Sequence, residues 1–200
     1  MRDWWWIGWD DAGTVERIGD EAIQTAFFCV VIPIRAGKSF YRFRTSEGSE
    51  AAIEIVRHRG SVLAGFLRTP LWLAATIIGA PCVFAYERWG HLVPIAVGLA
   101  VLAAAVTLGI GRLDGEERAR RELLKRVVGV GVPPELLSEP MREDTRERLA
   151  DAWFRDHHID WRDAIATGIA GEELVALAEY YQAPGLVDRA RQNMYAAEGN

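Results

Sequence analysis

PLWLAATIIGAPCVFAY, Pro70 to Tyr86, and LVPIAVGLAVLAAAVTLGIG, Leu92 to Gly111, are uncharged stretches separated only by ERWGH, Glu87 to His91. A hydrocarbon core about 30 Å thick takes roughly 20 helical residues, with about 17 as the lower limit. The second stretch meets that requirement outright. The first meets it with Trp72 and Tyr86 near its ends, aromatic residues suited to a headgroup boundary. The intervening residues suit a tight turn, with Trp89 at headgroup depth on one side and Arg112 at the opposite boundary. The expectation is a membrane protein of α+β class centred on a two-helix transmembrane hairpin, with helices at about 70–86 and 92–111. A soluble hairpin inside a larger core is the alternative. In 200 residues, too little other apolar surface remains to cover two such helices all round.

Basic residues set the expected orientation. Arg57, Arg59 and Arg68 precede the first helix, and Arg112, Arg118, Arg120, Arg121, Lys125 and Arg126 follow the second. The turn offers Arg88 alone, so the positive-inside bias puts both termini in the cytoplasm, for a multi-pass protein with two spans. Ala96, Ala100 and Ala104 recur every fourth residue, as do Ala75 and Gly79. Small residues at that spacing let helices approach closely; self-packing of the hairpin is the first reading and a homo-oligomer contact the second. Pro81 is expected to kink the first helix, whereas Pro94 falls in the first turn of the second, where its missing N–H costs little. No ionisable side chain lies deep in either stretch. That disfavours transport by the hairpin alone.

Outside the hairpin the chain divides by composition. Residues 1–68 have strand character: Trp4 to Trp9, Ala26 to Ile34, Phe40 to Arg44 and Ala52 to Arg57 are rich in aromatic and β-branched residues. Asp10–Gly13, Arg35–Lys38 and Glu47–Ser49 read as turns, giving a small antiparallel β unit of four or five strands. The early tryptophans suit a core strand first and a membrane-surface anchor second. Residues 112–128 read as a juxtamembrane helix, 129–134 as a Gly/Pro linker and 135–200 as a small helical bundle. Within the bundle, Pro140 to His157 is expected to be helical, Asp160 to be an N-cap, and Leu174, Leu177, Ala178 and Tyr181 to form an apolar stripe.

The chemistry on offer is sparse. Residues after Gly111 account for the whole net charge of −5, which argues against a nucleic-acid partner. Cys29 and Cys82 form no metal or redox motif, and Asp3, Asp10 and Asp11 do not fit a signal peptide. No motif of a hydrolase, nucleotide-binding loop or zinc protease occurs. Asp156, His157, His158 and Asp160 are the metal-ligand candidates. Adjacent histidines diverge on a helix, however, and a solvated helix end is the stronger reading. No cofactor is expected.

These observations imply a non-enzymatic anchor whose partners are the lipid bilayer and, through the C-terminal helices, a protein. A membrane-bound metal-dependent enzyme using the Asp156–Asp160 cluster is one alternative. A subunit of an oligomeric channel or transporter is the other.

Overall fold

The computed structural model describes residues 7–30, 32–45 and 47–199, so Trp4, Trp5 and Trp6 lie outside the described residues. The chain is α+β and forms two compact units, Met1–Leu113 and Asp114–Asn200.

The first unit opens with an antiparallel meander in the order β1-β2-β3-β4: β1 (Ile7–Ile18), β2 (Glu21–Val30), β3 (Ile32–Arg44) and β4 (Glu50–Ile55). Alternation along β2 sends Ile23, Thr25 and Phe27 to one face. The register Ile23↔Tyr41, Thr25↔Ser39 and Ser39↔Ile55 adds Tyr41, Ser39 and Ile55 to that buried face. Two expectations are corrected. Ala26 to Ile34 is not one strand but passes from β2 into β3, with Cys29 opposite Pro33. Pro33 is tolerated there because β4 pairs with β3 only from Ser39 onward, leaving that side of β3 free. Asp10–Gly13 and Arg35–Lys38 are not turns either. They lie within β1 and β3, near shifts of register. A β-bulge draws on the same glycine and polar residues as a turn. Glu47–Ser49 does turn the chain, with Thr45 N–H bonded to Ser49 O at 2.9 Å.

Two apolar helices follow. α1 (Arg59–Phe84) begins well before Pro70, so the β unit ends at Ile55 and not at 68. His58 caps it by accepting the Ser61 N–H at 3.2 Å. The helix is unbroken through Pro70 and Pro81. A short α2 (Tyr86–Trp89) and a 3₁₀ turn (Gly90–Leu92) lead into α3 (Val93–Gly109), which runs antiparallel to α1. Both apolar helices, Arg59–Phe84 and the stretch Tyr86–Gly109, are long and apolar enough to cross a membrane.

The second unit contains α4 (Gly115–Val128), a 3₁₀ turn (Pro134–Leu136), α5 (Glu139–His157), α6 (Trp161–Ala166), α7 (Glu172–Tyr180) and α8 (Pro184–Glu198). Its core gathers Trp153, Trp161, Ile165, Leu174, Leu177 and Ala190. α7 is buried on every side and forms the centre; Val175, Ala176 and Tyr180 are covered along with the expected stripe. Asp160 caps α6 as expected, accepting the Arg162 N–H at 2.8 Å.

The boundary differs from expectation. α4 belongs to this bundle, with Leu124 fully buried. Residues 129–134 are packed too: Val132 is fully buried and its carbonyl accepts the Tyr180 hydroxyl at 3.3 Å. Glycine and proline report the absence of regular structure, not the absence of packing.

Candidate functional site

In the first unit the sheet and the hairpin are joined by groups that sequence reading did not single out. The first turns of α1 present Ser61, Ala64 and Gly65 to the sheet, all buried. Such small residues allow the backbone of α1 to lie against β1. Gly13, at φ +67°, sits so close that a β-carbon there would stand 2.1 Å from the Ser61 carbonyl oxygen. Gly65 receives the ring of Phe27, which also meets Phe66 edge-on at 5.2 Å. A buried hydroxyl chain completes the contact: the Thr25 hydroxyl donates to Ser61 Oγ at 2.8 Å and Ser61 donates to Gly13 O at 2.6 Å.

Arg68 ties three elements together. Its guanidinium donates to Thr14 O on β1, to Ile110 O at 2.7 Å and to Thr107 O at 3.2 Å. The last two are carbonyls at the C-terminal end of α3, where the helix dipole favours a cation. Glu16 N–H adds a bond to Gly111 O at 2.8 Å. A spacing of small residues at 61 and 65, one turn before an arginine, was the available signal. It was hidden because these residues were assigned to the β unit.

Along the hairpin the expected packing residues separate. Gly79 faces Ala96, the β-carbon position of one lying 3.7 Å from the other's methyl. Ala75, Gly79, Ala96 and Ala100 line one open apolar groove, with Cys82 buried beside it. Ala104 is only partly covered. Trp72 is half exposed and its indole N–H reaches Thr107 Oγ1 at 3.2 Å, bridging the helices. Tyr86, Trp89 and Arg112 are exposed. Thr76 and Thr107 bond carbonyls one turn back, at 2.8 and 2.7 Å, which satisfies their hydroxyls within each helix.

The second unit carries the densest charge cluster. Arg120 donates to Glu179 through Nε at 3.0 Å and a terminal nitrogen at 2.6 Å, and reaches Glu135 at 2.6 Å. Arg191 holds the other Glu179 oxygen at 3.1 Å. Burial opposes the Arg120 charge, but its bonds to Glu179 and Glu135 outweigh that and hold its pKa above the ordinary value. A cleft of about 530 Å³ opens beside this cluster. Since the carboxylates and guanidiniums neutralise one another, the cluster acts as a clamp joining α4, the 134–136 turn and α7.

The four metal-ligand candidates do not converge. His157 stacks flat on Trp153 with centroids 3.7 Å apart, while His158 ends α5 in the left-handed region, at φ +55°. Asp160 is spent on its cap. Among the described residues no three His, Cys, Asp or Glu side chains are placed to hold a metal ion. The left-handed histidine makes a prediction. His158→Gly is expected to raise the bundle's thermal stability by about 0.5–1 kcal/mol, because glycine adopts that conformation freely; a lowered melting temperature would count against the structural role.

Tyr180 makes another. Burial pushes its hydroxyl from an ordinary value of 10 up to about 12. The stability this represents, about 3 kcal/mol, is complete below pH about 10 and is lost as the pH rises through about 12. Tyr180→Phe is expected to cost about 1 kcal/mol at neutral pH and to flatten the alkaline limb of a denaturation profile. Comparison with protein-family models, with curated proteins and with solved structures gives no match to this chain.

Proposed function

We propose that this chain is an integral membrane protein whose α1–α3 hairpin crosses the bilayer twice, with both flanking segments on the cytoplasmic side. Its role in this reading is to hold the C-terminal bundle at that surface as a binding module for a protein partner. One observation carries the membrane part. A core helix of a soluble protein is mostly covered, but the most apolar parts of α1 and of Tyr86–Gly109 are only 17% and 6% buried. Ile77, Val83, Phe84, Ile95, Val101 and Leu108 all point away from the rest of the chain. Leaving half a dozen such side chains in water forgoes roughly 10 kcal/mol, as much as a whole domain's net stability. A bilayer removes that cost.

The anchoring role is supported by how charge is used. The strongest cluster, around Arg120, is internally satisfied, and the hairpin keeps no ionisable group at mid-depth. Exposed Phe154, Ile169 and Tyr195 leave the bundle with apolar surface for a protein partner.

Two measurements test this. The protein should resist extraction from membranes by alkaline carbonate, and Glu87→Cys in the turn should react with an impermeant maleimide only from outside the cell. Release by carbonate sinks the anchor. Affinity capture in mild detergent, with and without residues beyond Leu113, tests the module: the partner should be lost with the bundle. The cut belongs at Leu113, since one at Val128 would leave α4 without its core.

A further inference from the structure

We propose that the edge strand β1 lies along the bilayer surface, with Trp9 in the headgroup layer and α1 immersed as far back as Leu63. This rests on the hairpin crossing the membrane. The placement of β1 follows from how α1 traverses the sheet. His58 N–H bonds Ser39 of β3 at 3.1 Å; Ser61 then meets Thr25 of β2 and Gly13 of β1; Arg68 ends on Thr14 of β1. The returning chain after α3 also docks on β1, through Glu16 and Gly111. The sheet therefore presents β1 toward the hairpin and carries β4 farthest from it.

Length supplies the second argument. From Arg68 to Phe84, α1 rises about 24 Å, and Val93–Gly109 rises the same. A hydrocarbon core of about 30 Å exceeds both. α1 makes up the difference on its sheet side: Leu67 and Leu63 remain exposed and continue the apolar surface by about 7 Å below Arg68. That brings the lipid boundary level with the Gly13–Gly65 contact, which is to say with β1.

The side chains on β1 and beside it fit such a boundary. Trp9 lies across Gly37, meets Phe28 edge-on at 5.8 Å and is still 59% exposed. At the same end of the sheet Val30, Ile32 and Ile34 are exposed. Arg17 on β1 and Arg112 after α3 are exposed cations with no acidic partner among the described residues, suited to anionic headgroups. Of the carboxylates on this edge, Asp11 pairs with Arg42 and Glu16 lies 3.1 Å from His58 Nε2, while exposed Asp10 accepts the Asp11 N–H at 2.9 Å.

The test uses the full chain with Cys29 and Cys82 changed to alanine, reconstituted in vesicles of phosphatidylcholine and phosphatidylglycerol. An environment-sensitive fluorophore is attached at Trp9→Cys, Leu63→Cys, Glu54→Cys or Val101→Cys in turn, and quenched by lipids spin-labelled high on the acyl chain. Labels at 9 and 63 should shift to the blue and lose intensity, while the label at 54, on β4, keeps the emission of a group in water. Either of the first two behaving like the label at 54, with the label at 101 quenched, overturns the immersion and leaves the crossing intact. Equal quenching at 54 and 9 overturns the edge-on placement. A label at 101 that stays in water overturns the crossing itself, and this inference with it.

Discussion

Gly13→Ala is expected to detach the sheet from α1. The added methyl would stand 2.1 Å from the Ser61 carbonyl oxygen, a backbone atom that no side-chain rotation can move aside. The φ of +67° adds roughly 1–2 kcal/mol for any residue with a β-carbon. Relief requires α1 to back away, which breaks the Ser61–Gly13 bond and leaves a buried hydroxyl short of a partner, at about 1–3 kcal/mol. The total is about 2–5 kcal/mol. Trypsin digestion of the reconstituted protein should then cut within the sheet while the hairpin stays with the membrane. Gly19→Ala is the control, since that glycine has φ +57° with nothing within 4 Å of its β-carbon position. It should show the conformational cost alone. Equal trypsin sensitivity of the two variants would argue against the close approach of β1 and α1.

Arg120→Ala should have a comparable effect on the bundle. Glu179 is nine-tenths buried and would lose two of its charged hydrogen bonds, with Arg191 left to hold it. Removing one partner of a buried pair costs about 3–5 kcal/mol, far more than the pair itself contributes over a hydrophobic replacement. Hydrogen exchange on α7 reads this directly. Protection that survives Arg120→Ala at neutral pH would show that the clamp is dispensable. The double variant Arg120→Met with Glu179→Leu is expected to be more stable than Arg120→Ala alone.

The two apolar helices were legible because uncharged apolar runs of this length fold as helices, and Leu92 to Gly111 corresponds closely to α3. The bundle was legible where periodicity was clean, as in α7, and where a cap was explicit, as at Asp160. The boundaries were not. Arg59 to Thr69 follows a strand directly and is polar enough to resemble a loop, yet its small residues are what a helix needs to lie on a sheet. Gly129 to Pro134 resembles a linker because composition cannot reveal that Tyr180, far along the chain, will seal it. The junction held by Arg68 was invisible for the same reason. Its acceptors are backbone carbonyls at 14, 107 and 110, and carbonyls leave no trace in a sequence.

Those three carbonyls also set an order of events during synthesis. β1 leaves the ribosome early, but the chain it docks against after α3 follows nearly a hundred residues later. At roughly 5–20 residues per second, that is a wait of about 5–20 s. Throughout it the meander has neither its Arg68 staple to α3 nor its bond to Gly111. Synthesis of the hairpin comes first and completion of the sheet second, so a chain whose α3 fails to pack against α1 also leaves its N-terminal strands without those bonds.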